Sequence, residues 1–353
     1  TLMKNLKKVL ALVLVVATVL SFATVASAAS FTDNAAITNN EAVSMLADLG
    51  VINGFTDGSF KPEGTVTRAE MAKMIYVLKN GGKDDGASYY KNLSTPLTDI
   101  SGHWAEGYIK YCYSLGIIAG FTDNTFKPDD NVTVAQAAKM LLVALGYDAD
   151  QYTGSAWSVN TMRDAKLAGV TDDVVAASVA DASRDTAALM IFNTMFADCV
   201  NPEYQYDMGV KYVTGHKANG HTLAGDYFNL AKAEGIVKSA QNDKVTIEYN
   251  ATTAEGETVV QTRTFDLPGN YDMVGKNGTV YYETNKNGTY KGLYSTEVIV
   301  DDTIVTYKTV NGDSMYKSAV DSSKKQVTLA DDITVYNNGT PTAHKASDIK
   351  DTE

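Results

Sequence analysis

Residues 50–74 read GVINGFTDGSFKPEGTVTRAEMAKM, and residues 116–140 read GIIAGFTDNTFKPDDNVTVAQAAKM. The two stretches align without a gap at an offset of 66, with 15 of 25 positions identical. Chance does not produce such a match, so the chain contains an internal repeat. A weaker third copy follows. Ser183-Arg184-Asp185-Thr186-Ala187-Ala188-Leu189-Met190 aligns with Thr67-Arg68-Ala69-Glu70-Met71-Ala72-Lys73-Met74, but its loop lacks the FTD and FKP residues.

Each copy reads helix, loop, helix. In the first, Ala42, Met45, Leu46 and Leu49 follow helical spacing and Gly50 is a suitable residue just past the helix end. Ala105, Ile109 and Cys112 play this part in the second, with Gly116 as the stop. Turn residues fill the loops: Asp57-Gly58 and Pro62, then Asn124 and Pro128. The second helix of each copy presents an apolar stripe, Met71, Met74, Ile75 and Leu78 or Ala137, Met140, Leu141 and Ala144. Two short helices cannot bury both of their faces alone, so three such units should pack into one helical module. The boundaries read as residues 31–80, 96–146 and 147–201, with 81–95 a polar, Gly-rich linker.

The start of the second helix carries two signals of different kind. Thr67-x-x-Glu70 is a capping box, in which each side chain satisfies the other's backbone N–H. Thr133-x-x-Gln136 repeats it, and Ser183 caps the third copy with Thr186 in the weaker partner position. Capping explains Thr67, Glu70, Thr133, Gln136 and Ser183 without a ligand. It does not explain Arg68, because a cation in the first turn opposes the helix dipole. A local cost without a local gain suggests function. Free N–H groups, the positive helix end and a guanidinium would together hold an anion. Arg184 repeats the arginine, whereas Val134 replaces it in the second copy.

The residues before these repeats read as an address. Lys4, Lys7 and Lys8 precede a Leu- and Val-rich uncharged run, and Ala26-Ser27-Ala28 is a small-x-small cleavage signature. Residues 1–28 are therefore expected to be a signal peptide. A membrane anchor is the competing reading, since the apolar run is nearly long enough to span. No later stretch is apolar enough, so no transmembrane segment is expected after signal removal. The 353-residue chain carries 30 basic and 42 acidic residues, a formal net charge of −12. Such acidity argues against nucleic acid as a partner. Two cysteines exclude a disulfide scaffold, and four histidines without HExxH or CxxC make a metal site improbable. A Cys112–Cys199 disulfide is conceivable after export, with buried thiols as the default.

The motifs resemble the S-layer homology (SLH) family. The likeness rests on G-V-I-x-G-F-T-D, F-K-P and T-R-A-E in the first copy, and on Asp99-Ile-Ser-Gly-His103-Trp104-Ala105 with the same loop in the second. It implies a pseudo-threefold helical module that binds secondary cell-wall polysaccharide, often pyruvylated, in grooves between its lobes. It implies a secreted protein held non-covalently in the cell wall or S-layer, with self-assembly into a surface lattice as an option. It also implies that Arg68 and Arg184 contact an anionic sugar substituent and that Trp104 and Trp157 wall a groove, although a half-buried core place competes evenly for Trp104 and is the preferred reading for Trp157. Gly54 and Gly120 would bring loop backbone near the ligand, although turn geometry alone also accounts for them. The first copy has Asn34-Ala-Ala-Ile37 in place of the HWA segment, and the third loop is worn. Fewer than three working grooves are therefore expected, those served by Arg68 and Arg184.

Beyond Pro202 helical spacing gives way to alternation of period two. Residues 202–232 read as a connector and 233–353 as a β-rich domain, a small antiparallel sandwich or barrel, with truncation at the end of the sequence as an open alternative. Val245, Ile247 and Tyr249 face one way after an Asn242-Asp243 turn, and Asn287-Gly288 marks a hairpin. Strands are also expected at 298–300, 303–307, 326–329 and 333–336. Asn277, Asn287 and Asn338 head Asn-x-Thr sequons, best read as turns. His216 and His221 bracket an expected polar turn. No nucleophile elbow, phosphate loop or motif-like carboxylate pair is present, so the expectation is a non-enzymatic surface protein that needs no cofactor. The runner-up is an SLH-anchored enzyme or adhesin whose working domain lies beyond residue 353.

Overall fold

The computed structural model describes residues 31–270, 273–295, 297–301, 307–311, 314–317, 326–328, 332–337 and 340–345. The expected signal peptide lies outside them, as do most of the expected strand at 303–307 and the Asn338 sequon. The described residues divide into two compact units, 31–229 with 254–256, and 230–253 with those from 257 onward.

The first unit is built on three helix pairs: α1 (Asn40–Asp48) and α2 (Arg68–Leu78), α3 (Glu106–Ser114) and α4 (Val134–Ala144), α5 (Trp157–Leu167) and α6 (Arg184–Phe196). Most of each apolar stripe is buried, with Leu46, Met71, Ile75, Leu78, Ile109 and Leu141 all out of contact with solvent and Leu49 and Met74 part-buried. Each such side chain contributes about 1.5–3 kcal/mol. Gly50 ends α1 with φ 73°, and Gly116 ends α3 with φ 71°.

The three pairs close on one another through a ring of backbone hydrogen bonds. The Val66 N–H donates to the Ala182 carbonyl (3.0 Å), Ala182 to Val132 (2.9 Å) and Val132 to Val66 (2.9 Å). Each of these residues lies just ahead of an N-cap, so the N-termini of α2, α4 and α6 meet around one pseudo-threefold axis. Val66, Val132 and Ala182 are themselves buried, which strengthens these bonds by excluding water.

Two expected connections prove to be structured. Residues 81–95 contain a 3₁₀ turn, Ala87–Asn92, packed on α3. Tyr90 stacks edge-on against Tyr76 and Tyr111, while Tyr108 donates to Asp84 (2.6 Å). Gly107 permits this fit, because a Cβ there would lie 2.0 Å from the Ala87 carbonyl oxygen. The expected connector 202–232 is in part a long ribbon of β1 (Asp198–Asp207) and β2 (Val210–Thr222). Its base joins the helices through the Val200 N–H and the Leu145 carbonyl (2.9 Å). Alternation is weak in this ribbon because both of its faces are largely exposed, which hid it from a pattern of period two. The turn expected between His216 and His221 is likewise absent: both lie in β2.

The second unit contains an antiparallel sheet of β3 (Leu230–Gln241), β4 (Lys244–Thr252), β5 (Thr258–Phe265), β6 (Asn277–Thr284) and β7 (Tyr290–Leu293), in the order 5-4-3-6-7. β8 (Ile299–Asp301) pairs with β6. Asn242 and Asp243 both have positive φ (53° and 55°), the geometry of a type I′ hairpin. Val245, Ile247 and Tyr249 bury one face with Val237, Phe265 and Val280. β9 (Tyr307–Asn311), β10 (Ser314–Lys317) and β11 (Gln326–Thr328) form a three-stranded sheet, and β12 (Asp332–Asn337) pairs with β13 (Thr340–Lys345).

Candidate functional site

The capping boxes form as the sequence predicts. Thr67 accepts from the Glu70 N–H while Glu70 accepts from Thr67, and Thr133 with Gln136 does the same. Ser183 accepts from the Thr186 N–H. The remaining helix N–H groups are not free. Arg68 and Ala69 donate to the carbonyls of Asp130 and Pro128, and Arg184 and Asp185 donate to those of Gly64 and Pro62. Val134 and Ala135 donate in the same way to Ala180 and Ser178. The expectation of open N–H groups for an anion is thus corrected. The loop of the neighbouring pair occupies them, because closing the ring presses each loop onto the next helix start.

What remains for a ligand is the spare donor capacity of the guanidinium, and each arginine works in a neighbour's loop rather than its own. Arg184 Nε donates to the Phe60 carbonyl (2.8 Å) and Nη2 to that of Asn53 (2.9 Å). Its plane lies 4.8 Å from the ring centroids of both Phe55 and Phe60. Arg68 Nε donates to the Phe126 carbonyl (2.7 Å) and Nη1 to Gln136 Oε1 (3.4 Å), with Phe121 and Phe126 at 4.9 and 4.5 Å. A lysine completes each cluster: Lys61 Nζ is 4.1 Å from the Phe55 ring, and Lys127 Nζ is 4.7 Å from that of Phe121. Two cations therefore flank one half-exposed phenylalanine in both places.

The loops are held by acids that the repeat comparison overlooked. Asp33 accepts from the Phe60 and Lys61 N–H groups (both 2.8 Å), and Asp99 accepts from Phe126 and Lys127 (2.8 and 2.7 Å). These bonds hold the Asp33 carboxyl below its usual range, the Phe60 N–H foremost. They also fix Lys61 and Lys127 in left-handed backbone, φ 56° and 54°, uncommon for lysine. The signal was available, since the offset of 66 also superposes Thr32-Asp33 on Thr98-Asp99.

Electrostatically the arginines are unusual. Arg68 is only 8% exposed. Burial pulls both guanidinium pKa values down, with Asp130 and Asp99 opposing at Arg68, and Glu70 and Asp33 at Arg184. An arginine begins so high that both remain cations. Yet each is hydrogen-bonded only to neutral oxygens, and neither forms an ion pair with a described residue. A buried cation normally has a carboxylate partner. These two retain donor capacity for an external anion.

The other sequence candidates divide. Gly54 and Gly120 are required by packing: a Cβ would lie 2.6 Å from the Phe31 ring or 2.5 Å from Leu97. Trp104 is 52% exposed and sits beside His103 and Tyr108, with ring centroids at 5.5 and 6.1 Å. His103 in turn approaches Asp129 (3.2 Å), next to the Asp130 carbonyl that receives Arg68. Trp157 opens α5, half-buried, and its carbonyl accepts from Thr161. The rings on the guanidinium groups are Phe55, Phe60, Phe121 and Phe126 instead.

Residues 30–72 and 96–138 match the model of the S-layer homology domain. The chain carries two SLH domains. The third helix pair stands on its place in the hydrogen-bonded ring. Cell surface glycoprotein 1 of Acetivibrio thermocellus is 41% identical over 92 residues, 26% of this chain and 4% of that protein. A cell surface protein of Thermoanaerobacter kivui is 27% identical over 299 residues, 84% of this chain and 36% of that one. An amylopullulanase of Thermoanaerobacterium thermosulfurigenes is 29% identical over 170 residues, 43% of this chain and 9% of that enzyme. The chain spans less than a quarter of the length of the first relatives it matches. Among the described residues no helix is long and apolar enough to cross a membrane.

Proposed function

We propose that the helical unit anchors the chain by holding acidic substituents of the secondary cell-wall polysaccharide, pyruvate ketals among them, at Arg68 and Arg184. The observation that carries this reading is the two guanidinium groups without carboxylate partners among the described residues, Arg68 buried and Arg184 part-buried, each backed by two phenylalanines and a lysine. A fixed planar fork suits a carboxylate, and the aromatic faces suit the apolar side of a sugar. Trp104, exposed at the edge of the Arg68 loop, is the better placed of the two tryptophans to extend that face; Trp157 is assigned no more than a supporting place. The SLH domains and relatives named as cell-surface proteins place the chain at the cell surface, in the wall or surface layer.

Within that location the chain acts as a structural component rather than a catalyst. A second reading, an SLH-anchored enzyme or adhesin, is favoured by one observation: one relative, matched over 170 residues, is an amylopullulanase. Continuation of the gene into further β modules or into a hydrolase domain separates the two.

The anchoring claim is tested with the whole chain and isolated wall material. Wild type should co-sediment with pyruvylated polysaccharide and much less with the ketal-stripped form. Arg68→Ala/Arg184→Ala should lose most of the binding while keeping its helical circular dichroism. Binding at the wild-type level would reject the two-arginine site.

A further inference from the structure

The β1–β2 ribbon ends in a hairpin that local physics does not account for. Tyr204 pairs with Val213, Gln205 with Tyr212, Tyr206 with Lys211 and Asp207 with Val210, leaving Met208-Gly209 as the turn. Both turn residues have positive φ, 47° at Met208 and 80° at Gly209. Asparagine, aspartate or glycine suits the first of these positions; methionine there is strained. Met208 is also 97% exposed, and Tyr206 is 70% exposed. Tyr204 and Tyr212 are exposed as well. A strained apolar tip above an exposed aromatic ribbon points to a partner.

Among the described residues β1 and β2 form a two-stranded sheet, so each offers an outer edge without a paired strand; the 254–256 turn meets β2 only near its base, at Lys217 and Ala218. Pro202 blunts the β1 edge near its base, while residues 203–207 carry no such guard. Charge divides between the edges. β1 bears Asp198, Glu203 and Asp207 and no base, and β2 bears Lys211 and Lys217 and no acid.

We infer that the ribbon pairs edge to edge with the same ribbon of a second copy, β1 of one against β2 of the next. Charge selects this arrangement, because β1 against β1 would face acid with acid. Hairpins side by side and pointing the same way place β2 antiparallel to the neighbour's β1, which continues the existing ladder. All copies then share one orientation, and the contact is head-to-tail, so it propagates rather than closing on a pair. The inference does not depend on the two arginine sites.

Sedimentation velocity of the full chain over a hundredfold concentration range tests it. Wild type should form concentration-dependent oligomers that dissociate at high salt. Tyr206→Thr/Met208→Asn keeps strand and turn preferences and should weaken association about tenfold. Lys211→Glu should do the same by reversing the charge of the β2 edge, with Lys211→Gln as the control for its contact with the Tyr204 ring. A wild-type chain that stays monomeric throughout overturns the inference, as does association unchanged in both variants. Polysaccharide binding by the variants should stay at the wild-type level; its loss in the arginine variant alone concerns the anchor.

Discussion

Arg68 serves the fold and, in the proposed site, the ligand as well. Its Nε closes a hydrogen bond to Phe126 in the next repeat, and its plane fills the space between two phenylalanines. Removing it leaves a buried carbonyl without a donor, a loss of about 1–3 kcal/mol. Arg68→Ala should therefore melt earlier as well as bind less. Arg68→Lys separates the two effects: it retains charge but cannot satisfy Phe126 and an external carboxylate with one planar fork. Its polysaccharide affinity should fall about tenfold, read by calorimetric titration, with a smaller drop in melting temperature than Arg68→Ala. Equal affinities for lysine and arginine would show that only charge matters. The arginines were legible in the sequence because each breaks a local rule beside an intact cap. Their phenylalanine partners were not, since an aromatic in a Gly-rich loop carries no periodic signal, and the partner lies in another repeat.

Helices and their caps were the most legible elements, because capping is local chemistry written within four residues. The boxes at Thr67 and Thr133 form with the expected partners. Thr133→Ala should reduce stability by about 1 kcal/mol, measured by urea unfolding, and leave polysaccharide binding unchanged since Val134 supplies no cation. Hairpins with Asn-Asp or Asn-Gly turns were equally readable. The strap at residues 81–95 and the β1–β2 ribbon were hidden for opposite reasons. The strap is polar and Gly-rich yet held by four tyrosines brought together from α2, α3 and the strap itself. The ribbon is rich in tyrosine and valine yet largely exposed, so it shows no alternation to read.

Closure of the helical unit depends on all three pairs. The ring runs Val66, Ala182, Val132 and back, and Arg184 fills the loop of the first repeat. A chain ending at residue 146 would keep both matched SLH domains but lose one corner of the ring and one arginine. It should show reduced helical circular dichroism and negligible co-sedimentation with wall polysaccharide. Full binding by that fragment would mean that the Arg68 junction, built by its two domains alone, is a self-sufficient site.

Because each helix start docks on the next pair's loop, a binding site here belongs to a junction and has two parents. Val134 and the worn loop of the third pair look in the sequence like separate losses in separate copies. In space they face each other, since the Val134 and Ala135 N–H groups dock on Ala180 and Ser178. Both changes fall on the same junction, which leaves the proposed arginine sites at the other two junctions untouched. Once either half of a junction is gone, nothing in ligand binding restrains the other half from drifting.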